Sequence, residues 1–204
     1  MDDNPAEQGE LGDLDDVYKG APRGDAPRHL GSAALADGLA SLKTPPGDTG
    51  RLDHVIARGE DGVRIEPRSA RLTAERSLPG DRWTEASCKY GLDGQLTMMR
   101  TDVGELVANG QPLSLFGDNL LVDLDLSADN LPTGTRLRIG GCELVVTPAP
   151  HNGCKKYRAR FGLDALKIIG HKSRRGTRLR GIYVRVVEAG EVTVGDAIVV
   201  VRPG

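Results

Sequence analysis

The sequence predicts a mostly-β protein with a few short helices, its strands closing into a barrel or sandwich. Three observations lead there. Apolar-polar alternation recurs through the second half, at 121–126, 135–139, 142–147, 181–188, 191–194 and 197–202. Tight glycine-containing turns separate these runs, with Gly140-Gly141, Ala189-Gly190 and Gly195-Asp196 at the hairpin positions. Helical spacing is confined to a few short stretches, which leaves sheet as the framework.

Taken in order, residues 1–28 hold eight Asp/Glu against three Lys/Arg and few apolar side chains. Such a composition cannot offset its ordering entropy, so a disordered acidic tail is expected. Ser32 is placed to cap a helix over 33–43, with Leu35, Leu39 and Leu42 on one face, and Pro45-Pro46-Gly47 ends it. A strand at 52–58, a turn at 59–62 and a returning strand at 63–66 read as a hairpin. The stretch 69–78 fits a short helix or a loop. With 29–66 it forms an expected N-terminal extension, 29–75, packed on a barrel of 76–204.

Leu78-Pro79-Gly80-Asp81-Arg82-Trp83 contains the only tryptophan. A strand at 95–100 follows, then a short helix with Val103, Leu106 and Val107 that Thr101 or Asp102 caps and Asn109-Gly110 ends. After the 142–147 strand comes a glycine turn at Cys154, a helical face at Phe161, Ala165, Leu166 and Ile169, and a basic loop at 171–180.

Charge is segregated. Residues 151–185 contain eleven Lys/Arg and one acid, Asp164, a surface suited to an anionic small ligand or an acidic partner. Nucleic acid is a poor fit, because four Tyr, two Phe and one Trp leave little for base stacking. Three cysteines at Cys88, Cys142 and Cys154 have no C-x-x-C spacing, which argues against a disulfide framework or a structural zinc site. There is no basic n-region with an apolar run, and no stretch approaches 18 apolar residues, so a cytoplasmic protein without membrane contact is expected.

Cys154 concentrates the chemistry. Lys155, Lys156, Arg158 and Arg160 follow it within six residues, and cations favour a thiolate, the nucleophilic and soft-metal-ligating form. His151 could tune the Cys154 thiol across the turn, but reads first as a solvent-exposed loop residue.

Several motifs flank this turn in a fixed order. They are Phe116-Gly117-Asp118-Asn119-Leu120, then Gly134-Thr135-Arg136-Leu137-Arg138-Ile139-Gly140, Gly153-Cys154-Lys155-Lys156, Arg180-Gly181 leading into Ile182-Tyr183-Val184, and Val194-Gly195-Asp196. Together, with Gly80-Asp81 upstream, they resemble the MOSC domain, named after the C-terminal domain of molybdenum cofactor sulfurase. The resemblance covers roughly 76–202. It departs at Asn152-Gly153, where many members have an R-x-P-C turn, and at Val184 in place of Ala.

The resemblance implies a MOSC-type β-barrel that binds molybdenum cofactor, or carries sulfur, through Cys154. In one version the thiolate ligates molybdenum held by a pyranopterin, and the activity implied is reduction of N-hydroxylated compounds. In the other, Cys154 holds a persulfide as a sulfur carrier. A third reading is a binding module without chemistry. The partners implied are a cysteine desulfurase or an electron-transfer protein. Pyridoxal phosphate, associated with the multidomain sulfurase, is not expected, since no aminotransferase-like domain supplies a Schiff-base lysine.

Candidate ligand contacts are Lys155, Lys156, Arg180 and Arg82 for an anionic group such as a pterin phosphate. Asn119, which both donates and accepts, is the candidate for a pterin ring edge, and Asp81 belongs to the same set.

Overall fold

In the structure, a computed structural model that describes residues 22–202, seven strands close into a barrel. They are β1 (Thr49–Val55), β5 (Leu96–Arg100), β6 (Leu120–Asp123), β7 (Arg136–Ile139), β8 (Cys142–Val146), β9 (Ile182–Glu188) and β11 (Ala197–Val201), in spatial order β1-β11-β7-β8-β9-β5-β6. The small sheets β2 (Ala57–Arg58) with β3 (Arg64–Ile65), and β4 (Ser69–Leu72) with β10 (Gly190–Thr193), stand beside it. The barrel with few helices is the architecture read from the alternation and the glycine turns.

Period-two patterning divides the side chains between two cores. Met98, Leu120, Val122, Leu137, Leu144, Val184 and Ile198 fill the barrel. Met99 and Leu121, one residue out of phase, join an outer layer under the helices with Leu35, Val103, Phe116, Tyr157 and Phe161. The β5–β6 pair is parallel, Met98 opposite Leu120, with α2 (Thr101–Ala108) in the crossover. Every other barrel pair is antiparallel.

Several expectations change. β1 pairs with both β11 and β6, so the stretch expected as an extension supplies one stave of the barrel. The stretch 69–78 is neither helix nor featureless loop: 69–72 is β4, recruited by pairing Arg71 with Glu191 and Ala70 with Val192. The expected tail at 1–28 lies outside the described residues up to position 21. Residues 22–28 pack on the body, with Pro22 accepting from Arg160 Nε at 3.2 Å and Asp25 N donating to Gln111.

α1 (Ser32–Ser41) starts without the expected serine cap. Gly31 is the N-cap residue, and the free Ser32 N–H donates to Asp164 Oδ2 at 3.1 Å, across to α3 (Lys155–Gly170). A carboxylate at a helix N-terminus does the work of a cap and suits the helix dipole. Asp164→Ala is therefore expected to cost about 0.5–1 kcal/mol and Ser32→Ala only a few tenths, measurable by urea unfolding.

α3 begins six residues earlier than the apolar spacing suggests, because Gly162 interrupts it at φ 90 and ψ 168. Cys154 thus sits at the helix N-cap position rather than within a free loop. The basic loop 171–180 is a 3-10 turn over Lys172–Thr177, and Arg178 Nη1 ties it down through the Leu131 carbonyl at 2.6 Å.

Candidate functional site

The site lies where the Phe116–Leu120 turn, the β2–β3 hairpin, the start of α3 and the start of β9 meet. Stacking of Phe116 on Phe161 at 4.0 Å, with Tyr157 at 5.9 Å from Phe116 and 5.1 Å from Phe161, fixes α3 against that turn. Gly117 is the pivot. At φ 73 it takes a left-handed conformation that few other residues adopt. A side-chain carbon there would lie 3.4 Å from Arg64 Nη2, 3.6 Å from Arg160 Nη1 and 3.7 Å from Arg58 Cδ. Two arginines of one hairpin and a third from α3 converge on one glycine.

Their charges are compensated unequally. Arg58 makes a two-pronged bridge to Asp81, Nε to Oδ2 and Nη2 to Oδ1, both at 2.9 Å. Arg64 donates only to the carbonyls of Ser114, Gly62 and Val63, and forms no ion pair among the described residues. Partial burial and the neighbouring Arg160, Arg82 and Arg58 charges hold Arg64 down to about 10. Lys156 is likewise depressed, by burial and then by Arg82 and Arg160, while Cys154 acts in its favour. Among the described residues Arg64 has no carboxylate to balance it, which suits the cluster to an anion.

Beneath it, a second group surrounds Asp118. Its carboxylate is fully buried, accepts from Arg180 Nη1 at 2.6 Å and lies 3.6 Å from His151 Nε2. Burial alone would raise its pKa, but the charge and hydrogen bond of Arg180 outweigh that and hold it below the carboxylate range. The Arg180 guanidinium also lies over the Tyr157 ring at 5.2 Å and feels the Cys154 charge. Asp118 Oδ1, His151 Nδ1, Tyr157 Oη and Arg180 Nε have no hydrogen-bond partner among the described residues. Four such atoms gather in one neighbourhood, each costly to leave unsatisfied.

The residues expected from the sequence separate into three groups. Cys154 is exposed at the rim, within electrostatic reach of Lys156 and Arg180, and Lys156 is within electrostatic reach of Arg82. Lys155 is exposed. Asn119 is fully buried and its amide is spent: Oδ1 accepts from Thr97 N and Oγ1, and Nδ2 donates to Ile56 O and Asp81 Oδ2. It therefore braces Asp81 instead of reading a ring edge. Asp81, its side chain wholly buried, holds Arg58 and the Trp83 backbone instead of facing a ligand.

Arg58, Arg64, Asp118, His151 and Tyr157 were not anticipated. His151 is not a solvent-exposed loop residue. Its side chain is 6% exposed, and its ring lies 4.7 Å from that of Tyr183. Asp118 stood inside the Phe-Gly-Asp-Asn-Leu motif, and the Arg58/Arg64 pair flanked a legible hairpin. Cys142 is buried, and burial pushes its thiol up to about 11, which leaves it inert.

A family model described as "MOSC domain" matches residues 95–199. The chain belongs to the MOSC family. Among solved structures, the MOSC chain superposes on the YuaD protein from Bacillus subtilis with a TM-score of 0.52 at 16% identity, covering 74% of this chain and 95% of that one. For YiiM from Escherichia coli the TM-score is 0.50 at 22% identity, covering 76% and 71%. For YiiM from Geobacillus stearothermophilus it is 0.51 at 15% identity, with 76% of each chain covered. These likenesses show the fold. No curated protein matches the chain. MOSC domains as a family are associated with molybdenum cofactor. No helix among the described residues is long and apolar enough to cross a membrane.

Proposed function

We propose that this MOSC protein binds molybdenum cofactor, with Cys154 as the thiolate ligand of the metal and the Gly117 cluster as the clamp for the anionic pyranopterin group. The observation that carries this reading is the convergence of Arg58, Arg64 and Arg160 on Gly117, next to Arg82, Lys156 and an exposed thiol. The residues fit the group. Arg64 keeps Nη2 for an anion with no competing carboxylate among the described residues, and Lys156 offers a point charge. Among the described residues, no cluster of three or more His, Cys, Asp or Glu could hold a metal. Cys154, exposed and a soft donor suited to a transition metal, is the ligand assigned here.

When bound, the cofactor supplies a two-electron centre, at which we place the reduction of N-hydroxylated compounds with electrons from a partner protein. The chain's own part is positioning. Asp81 fixes Arg58 at the clamp, and Asp118 fixes Arg180 against Tyr157 near Cys154. Tyr157, its pKa raised by burial, keeps its phenolic proton at neutral pH, and the Phe116–Phe161 stack excludes water from that side.

The exposure of Cys154 favours a second reading, a persulfide carrier that a cysteine desulfurase can reach. Elemental analysis separates the two. Protein expressed in a cofactor-competent host is expected to hold molybdenum, and Cys154→Ala to lose it. Arg64→Ala is expected to retain the metal at least tenfold more weakly, about 1.4 kcal/mol. Equal molybdenum in wild type and Cys154→Ala would overturn thiolate ligation. An added sulfur atom on Cys154 after incubation with a desulfurase, without molybdenum, would decide for the carrier.

A further inference from the structure

Segment 1–21 carries the charge that the Gly117 cluster lacks. It holds seven Asp/Glu against one lysine, Lys19, with Asp13, Asp15 and Asp16 nearest its end. The described residues begin at the cluster itself. Arg160 Nε donates to the Pro22 carbonyl at 3.2 Å, while Nη1 of the same guanidinium donates to Phe116 O at 3.1 Å and stands beside Gly117. Pro22 and Arg64 line one cleft. Five residues separate Asp16 from Pro22, a link that spans up to about 20 Å. Lys156 lies one helical turn before Arg160, roughly 6 Å along the axis. Both cations are therefore within range of those carboxylates. Arg64 donates only to carbonyls, and Lys156 has no carboxylate partner among the described residues.

We propose that segment 1–21 docks its own carboxylates on the Gly117 cluster, so that an anionic ligand must displace it to bind. Guanidinium and ammonium groups recognise a carboxylate by the same charge-assisted hydrogen bonds that hold a phosphate. A second copy of the chain carries the same acids. Covalent attachment beside Arg160 makes the encounter intramolecular, which favours the chain's own segment. Control of ligand access rests on the clamp reading above; the contact between segment and cluster does not.

Carbodiimide coupling joins a carboxylate to an amine only where the two meet. In the full chain it is expected to link an acid of residues 2–16 to Lys156, and inorganic pyrophosphate is expected to suppress the link. A mixture of isotopically light and heavy chains shows by mass spectrometry whether the link lies within one chain. In calorimetry, a full chain with all seven acids replaced by their amides is expected to bind pyrophosphate at least fivefold more tightly than wild type. That factor corresponds to a cluster covered about four-fifths of the time. No link to Lys156, or equal pyrophosphate affinity in the two proteins, overturns the proposal. Links found only between chains also overturn it, and assign the acids to a second copy. Cys154 and the arginines are untouched in the amide variant, so the molybdenum content of wild type and Cys154→Ala reports separately on the cofactor reading.

Discussion

Asp81→Ala is expected to cost about 3–5 kcal/mol, the largest loss from any single truncation in the site. The carboxylate accepts from Arg58 N, Nε and Nη2, from Trp83 N and from Asn119 Nδ2, all between 2.8 and 2.9 Å. Burial alone would raise its pKa, and the Arg58 hydrogen bonds and charge reverse that. Removing it strands a mostly buried guanidinium and takes the acceptor from three further donors. In a domain of this size such a loss lowers Tm by about 10–15 °C, readable by calorimetry. Asp81→Leu combined with Arg58→Met removes both charges and should recover most of it, because the penalty comes from the uncompensated ion. The double-mutant cycle then gives a coupling energy of about 2–3 kcal/mol. A purely additive cycle would show that the bridge contributes no more than its two side chains do separately.

Acid is expected to destabilise the fold well above the carboxylate range, through His151. Its ring is enclosed by Asp118, Arg180, Arg58 and Tyr183. Burial, then Arg180, hold its pKa down at about 3, against the pull of Asp118. The folded protein therefore leaves the ring neutral while the unfolded chain, with a value of about 6.5, takes up a proton. Between those values the unfolded state binds more protons, so stability rises with pH and is lost as pH falls. The slope approaches about 1.4 kcal/mol per unit, or roughly 3 kcal/mol from pH 7 to pH 4.5. Asp81 and Asp118, held low in the fold, contribute stability that is complete above the unfolded carboxylate value of about 3.9 and fades only below it. The window from 6.5 to 4.5 thus belongs to His151. Urea unfolding of His151→Gln across it should give a nearly flat profile. A wild-type slope in that variant would assign the acid sensitivity elsewhere.

The strands were legible where local pattern and tertiary environment agree. Arg136–Ile139 and Cys142–Val146 alternate cleanly around Gly140-Gly141 because one face fills the barrel and the other meets solvent. β4 was not, because Ser69–Leu72 lacks a strand's composition and owes its state to β10, more than a hundred residues away. The start of α3 was hidden by Gly162, which breaks the apolar period in the middle of the helix. Within the site, Cys154 and its immediate neighbours carry a local charge signal. Arg58, Arg64 and Asp118 carry none, since their meaning comes from a hairpin folding back over a turn fifty residues on. Asn119 shows the converse: a side chain able to bind a ring edge is consumed by the protein's own backbone.

The pairing of β1 with β11 bears on how this barrel comes into being. Thr49 lies opposite Val199, and Arg51 opposite Ala197. β1 must wait, edge exposed, until β11 has been synthesised before the wall can be sealed. The family match begins at 95, yet a fragment cut there would lack that stave, leaving Val199–Ala197 on one side and Leu120–Asp123 on the other without their partner. Such a fragment is a curved open sheet with two sticky margins, prone to self-association rather than to folding as a unit. The indivisible piece of this protein is therefore larger than the segment by which its kinship is recognised.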